Sequence, residues 1–149
     1  MAGYSGTPLP QKLGIKPGTA LCVIGAPTGF ARALGELPPG AAIASRAEPP
    51  LAFVLLFARS RAVLAQRFAE QAAGLAPDGM LWVAWPKKAA KVDTDLDENA
   101  VREVGLAAGL VDNKVCAIDA TWSGLRFVVR LADRASRGRP RKGVSLPKR

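Results

Sequence analysis

Four short segments of this 149-residue chain carry the residues best suited to chemistry, and each follows an apolar run. They are Gly25-Ala26-Pro27-Thr28-Gly29-Phe30, Ala58-Arg59-Ser60-Arg61, Pro86-Lys87-Lys88 with Lys91 beyond, and Trp122-Ser123-Gly124. A glycine-bearing turn after a strand lets a ligand approach the backbone, and free N–H groups opening the next helix attract anions. Converging lysines beside a helix start would attract phosphate or carboxylate in the same way. Against that, Asp93, Asp95, Asp97 and Glu98 follow the lysines closely, so a solvated, self-paired loop is expected there.

The groups that usually perform covalent or acid–base work are missing. With no histidine in the chain, His-based triads, His general bases and His metal ligands are excluded. Ser5, Thr7, Thr121 and Ser123 therefore lack a histidine to activate them, and no G-x-S-x-G elbow is present. Asp93 to Glu98 places carboxylates at alternate positions, as a calcium loop does. The loop's required sixth glycine and twelfth glutamate are replaced by Glu98 and Val104, so a calcium site is rejected. Cys22 and Cys116 lie in separate apolar strand patterns without a paired-thiol motif, and are expected to be buried, inert thiols.

The elements that must position these residues follow from periodicity. One helical turn over 11–15 precedes Pro17-Gly18, then Ala20–Ile24 reads as a central strand apolar on both faces. A short helix over 31–37 and a weak strand over 41–47 come next. Leu51–Phe57 is the strongest strand. Ser60 caps a helix to about Ala73, with Leu64, Phe68 and Ala72 on one face and Gly74 ending it. The turn Pro77-Asp78-Gly79 delivers strand 80–85, which Pro86 stops. Thr94, with Asp97 three residues on, begins a helix bearing Val101, Val104 and Ala108 on one stripe and Gly109 at its end. Strands 114–119 and 125–131 are joined by five residues, too few for a parallel crossover, so they form an antiparallel hairpin. Trp82 and Trp85 must face opposite sides of their strand. Trp122, placed in the hairpin turn, is either an exposed interface anchor or a cover over the sheet's end.

Charge is distributed unevenly. Residues 134–149 hold seven basic side chains and no acid, leaving +2 of the +9 net charge for residues 1–133. The expected organisation is one α/β domain over 1–133 and a disordered basic tail over 134–149. Such a tail would add salt-sensitive affinity for nucleic acid, a reading less favoured than a solubilising extension. No charged-then-apolar leader and no long apolar run is seen, which predicts a cytoplasmic protein without a membrane span and with reduced cysteines.

Alternating strands and helices closed by a hairpin predict a three-layer, Rossmann-like, mostly parallel sheet, abbreviated, with a C-terminal antiparallel hairpin. This arrangement resembles the class I S-adenosylmethionine-dependent methyltransferase architecture. The stretches YSGTPL, KLGIKPG, VIGAPTGF, VLLFARSRAVL, LAPDGMLWVAWPKKA and TDLDENAVREVGLAAGLVDNKVCAIDATWSGLRFVVR together resemble the bacterial family catalogued as domain of unknown function 3052, over about residues 3–131. That resemblance implies a fold and no activity. Ligands of open α/β sheets bind beyond the carboxyl ends of the strands, so Gly25, Pro27, Gly29, Phe30, Arg59, Trp85, Lys87 and Lys88 are expected to line one pocket. A methyltransferase would show a G-x-G-x-G-like run in the first loop and a ribose-binding acid. Here Pro27 interrupts the loop, and Glu48, beside Pro49-Pro50, is the only acid near the required place. The favoured expectation is a non-catalytic methyltransferase-like binding module for a small anionic ligand or a protein partner, with no cofactor. The alternatives are a small methyltransferase using S-adenosylmethionine and a nucleic-acid-associated protein acting through its tail. A homodimer through an exposed hairpin edge is compatible with each.

Overall fold

The computed structural model describes residues 7–44 and 48–137. Its elements, in chain order, are α1 (Leu9–Leu13), β1 (Ala20–Ile24), α2 (Phe30–Leu34), β2 (Ala42–Ile43), β3 (Leu51–Phe57), α3 (Arg61–Ala73), β4 (Leu75–Pro86), α4 (Glu98–Ala107), β5 (Leu110–Ala117), β6 (Trp122–Val129) and α5 (Arg134–Arg137). The fold is α/β, and its six strands form one sheet in the order β2-β1-β3-β4-β6-β5. Strands β2, β1, β3 and β4 are mutually parallel, while β6 runs antiparallel to both β4 and β5. It follows that β5 is parallel to β4, and β6 is the one antiparallel strand, inserted between them. No helix among the described residues is long and apolar enough to cross a membrane.

Two apolar layers cover the sheet because its central strands are apolar on both faces. Val54, Leu56, Leu81 and Val83 pack with Leu64 and Phe68 of α3 and Val101 of α4. Phe53, Leu55 and Trp82 face the other way, onto Leu13 of α1 and Phe30 and Leu34 of α2. Trp82 and Trp85 thus occupy opposite faces, as their odd spacing requires. The indole Nε1 of Trp82 donates to the Leu13 carbonyl at 2.9 Å, which satisfies a buried polar group and fixes α1 on the sheet.

Helix α3 begins as expected: the Ser60 Oγ accepts from the Val63 N–H at 3.2 Å, and Leu64, Phe68 and Ala72 form its buried face. Gly74 ends it without a left-handed backbone, φ −101°. Space is tight there, since a β carbon would lie 3.2 Å from Pro49 Cγ and the proline ring would have to give by a few tenths of an ångström.

Several expected boundaries move. Strand β4 starts at Leu75, because Leu51 pairs with Leu75 before the register shifts and Phe53 pairs with Met80. Pro77-Asp78-Gly79 therefore lies within the strand, and Gly79 passes so close to β3 that a β carbon would meet the Leu51 carbonyl at 2.6 Å. Helix α2 stops at Leu34, where Gly35 takes φ 86°. The weak strand shrinks to two residues, and 45–47 lie outside the described residues. With β2 so short, β1 is nearly an edge strand, and Cys22, Val23 and Ile24 are half-buried instead of central.

Asp97, not Thr94, caps α4: its Oδ1 accepts from the Ala100 N–H at 2.8 Å. The buried stripe of α4 is Ala100, Val101 and Gly105, and Ala108 is exposed. The hairpin strands extend closer to each other than expected, so Trp122, Ser123 and Gly124 belong to β6. Its partner β5 forms the sheet edge, broken by a register shift between Asp112 and Lys114, with Val115 exposed. The basic segment expected to be disordered from residue 134 opens as one helical turn, in which Arg134 Nε donates to the Val129 carbonyl at 3.0 Å. Residues 138–149, with the rest of that expectation and the nucleic-acid reading placed on it, lie outside the described residues.

Candidate functional site

The parallel strands deliver three loops to their carboxyl ends. The first loop leaves β1 through Gly25 at φ 71°. A β carbon at Gly25 would stand 2.9 Å from the Phe57 carbonyl and 3.2 Å from Arg67 Nη1, so only glycine lets the loop pass under β3 and α3. The second loop, after β3, is pinned from outside. Thr94 Oγ1 donates to the Arg59 carbonyl at 2.5 Å, and the Arg61 N–H donates to Asp95 Oδ1 at 2.8 Å. The third loop is held at its root by the Lys87 N–H, which donates to the Thr121 carbonyl at 2.7 Å.

These contacts produce two clefts instead of the single expected pocket. A cleft of about 200 Å³ between the first loop and α3 is lined by Gly25, Pro27, Arg59, Ser60, Arg67 and Trp122. Another of about 380 Å³, over the start of α4, is lined by Trp85, Lys87, Lys88, Thr94, Asp97 and Ser123. They share no lining residue, and the bonds from Thr94 to Arg59 and Asp95 to Arg61 tie together the loops that border them. Of the eight residues expected to meet, Gly25, Pro27 and Arg59 face the first cleft, and Trp85, Lys87 and Lys88 the second. Gly29 lines neither and instead caps α2 with φ 85°. Phe30 is core: it is 4 % exposed and stacks edge-on against Phe57 at 5.0 Å. Trp122 covers the sheet end at 8 % exposure, its ring edge-on to Phe57 at 5.0 Å, and so is not an exposed anchor.

Ion pairing leaves the two clefts electrostatically distinct. Among the described residues, Arg61 pairs with Glu103 at 2.8 Å, and Arg102 with Glu98 at 2.6 Å and Asp112 at 3.0 Å. Arg59 and Arg67 make no ion pair among the described residues, and no acid is among the residues lining their cleft. The lysine loop is not self-paired as expected, because its acids bind elsewhere: Asp95 and Asp97 accept backbone N–H groups, and Glu98 takes Arg102. The second cleft nevertheless holds Asp97 and Glu98 beside its lysines.

The two thiols lie apart from both clefts and are half-buried, not fully buried. Burial pushes Cys22 upward from the usual thiol range, and Cys116 likewise, although Lys12, Lys114 and Arg126 oppose the effect there. No group of three or more carboxylates or thiols able to hold a metal ion occurs among the described residues.

An adenosyl cofactor does not fit the first loop. Sites for such ligands occupy roughly 300–1,000 Å³, and the first cleft offers about 200 Å³. Pro27 removes a backbone donor, and Glu48 is exposed. Sequence reasoning missed Arg67, although its i, i+4 spacing from Val63 on a helix capped by Ser60 sets it above the same loop. It also missed a cleft of about 690 Å³, which lies between α1 and the end of α2 against Leu9, Ile15, Leu34, Glu36 and Leu37.

Compared with known proteins, the chain matches no family model and no curated protein.

Proposed function

We propose that the protein is a non-catalytic, methyltransferase-like binding module that holds a small anionic ligand at the carboxyl ends of its parallel strands. The observation that carries this reading is the pair of arginines, Arg59 and Arg67, lining an acid-free cleft without a carboxylate partner among the described residues. Guanidinium groups left unpaired beside a concave surface are the usual recognition elements for carboxylate and phosphate. One antiparallel strand inserted at the end of a parallel sheet supports the methyltransferase-like description. The small volume and Pro27 speak for a module without the adenosyl cofactor. A cytoplasmic location belongs to the same proposal, and two free thiols suit a reducing compartment.

Thermal unfolding tests it. Ligand at about 100 times its dissociation constant adds about 2.7 kcal/mol, enough to raise the midpoint by several degrees. Small carboxylates and phosphates are screened beside S-adenosylmethionine and S-adenosylhomocysteine at matched ionic strength. A saturable rise with one of the anions and none with the adenosyl compounds is expected. A saturable rise with S-adenosylmethionine would overturn the reading in favour of a methyltransferase.

A further inference from the structure

We propose that the cleft between the first loop and α3 is a phosphate site, taking the phosphoryl group of a small phosphate monoester between Arg59 and Arg67. The proposal rests on the anion-binding reading above and names the ligand class and the residues. Arg67 Nη1 stands 3.2 Å from the position a Gly25 β carbon would occupy, so its guanidinium lies against the first loop. Arg59 enters from the β3–α3 loop, whose backbone Thr94 and Asp95 hold in place. Each guanidinium carries five N–H donors, and neither the Arg59 nor the Arg67 guanidinium has a hydrogen-bonding or ionic partner among the described residues. Ser60 lines the same cleft. Its Oγ already accepts from Val63, which leaves the O–H free to donate.

The start of α3 does not itself make the site. Its Arg61 and Val63 amides are committed to Asp95 and Ser60. The ligand is therefore defined by two guanidinium forks approaching from two elements. A planar carboxylate satisfies one fork, whereas the three terminal oxygens of a phosphate monoester can be shared between two. About 200 Å³ admits a phosphate with a short organic substituent and excludes a nucleotide. The apolar wall of Phe57 and Trp122 faces that substituent.

Isothermal titration calorimetry at fixed ionic strength tests the assignment, with inorganic phosphate and acetate as probes. The proteins are the wild type, Arg59→Gln, Arg67→Gln, and a Lys87→Gln/Lys88→Gln variant that alters only the other cleft. All four replaced side chains border open clefts, and an unchanged unfolding midpoint verifies the fold of each variant. Saturable phosphate binding, weakened at least about tenfold by either arginine replacement and unchanged in the lysine variant, is expected. Acetate should bind more weakly than phosphate. Phosphate binding that survives both arginine replacements, or disappears in the lysine variant, overturns this site while leaving an anion-binding module intact. Tighter binding of acetate than of phosphate overturns the ligand class. Failure of both probes to bind the wild type overturns the phosphate site and the anion-binding reading together.

Discussion

Replacing Gly105 with alanine should destabilise the protein although it improves a helix. Gly105 lies in the middle of α4, where alanine is favoured over glycine by about 1 kcal/mol. Its new β carbon would sit 2.0 Å from Phe127 Cε2 and 2.5 Å from both Cδ2 and Cζ. Carbon atoms settle at about 3.5–4.0 Å, so ring and helix must separate by roughly 1.5 Å. The ring has no room to yield: Phe127 is fully buried and stands edge-on to Phe68 at 5.1 Å. Overpacking of this kind costs about 1–3 kcal/mol, and so short a contact belongs at the upper end. Subtracting the helix gain leaves a loss of about 2 kcal/mol, or a melting midpoint lower by about 8 °C. Urea denaturation of the single variants and of the Gly105→Ala/Phe127→Leu double variant separates the two effects. With the ring removed, the alanine should become neutral or stabilising. A Gly105→Ala protein as stable as the wild type, or an equal loss in the Phe127→Leu background, would refute the steric argument.

Three further outcomes are expected. Gly25→Ala forces a left-handed residue against the Phe57 carbonyl. It should cost about 1–2 kcal/mol in urea denaturation, and a variant of wild-type stability would show that the first loop has room to relax. Trp82→Phe leaves the buried Leu13 carbonyl without its donor; a loss of about 1–3 kcal/mol is expected, and chemical denaturation showing almost none would mean that α1 does not depend on that bond. Burial raises the pKa of Cys22 and of Cys116, so the folded state keeps these protons longer than the unfolded chain does. Stability should therefore be unaffected by the thiols below about pH 8.5 and decline as pH rises beyond it. Unfolding free energies at neutral and alkaline pH should show this fall in the wild type and a shallower one in a Cys22→Ala/Cys116→Ala variant; equal slopes would count against the burial argument.

What the sequence disclosed of the fold was whatever short-range pattern alone determines. Leu51–Phe57 and Met80–Trp85 are uninterrupted apolar runs, and a strand covered on both faces needs nothing else. Helix α3 carries its cap and its buried stripe within fourteen consecutive residues. Patterns failed where distant partners decide. Pro77-Asp78-Gly79 has turn chemistry, yet Leu75 pairs with Leu51 and draws the segment into the strand. Thr94 and Asp97 are both capping residue types, and the choice between them falls to the Arg59 carbonyl, 35 positions away, which takes the Thr94 hydroxyl. The apolarity of Ala20–Ile24 gives its burial tendency but not the number of strands beyond it, and here only the two residues of β2 lie there.

The same distinction governs the site. Topology alone sends Gly25, Arg59 and Lys87 to one end of the sheet, and that much could be read directly. Whether they share a cavity depends on loop-to-loop bonds with no sequence signature, and those bonds set two clefts side by side. Arg67 was hidden for a different reason, since an arginine on a helix ordinarily marks the solvent face. What brings it to the site is the missing side chain at Gly25, which leaves space for its guanidinium above the first loop. Gly25 passes so close beneath the Phe57 carbonyl that a β carbon would stand 2.9 Å from it, at the wall of a cleft of about 200 Å³. On the proposed reading, that small cleft opposes an adenosyl cofactor and favours a compact anion. A methyl group at residue 25 should therefore weaken phosphate binding without creating affinity for S-adenosylmethionine. Gain of S-adenosylmethionine binding by the Gly25→Ala protein in the same calorimetric titration would break the link between the two.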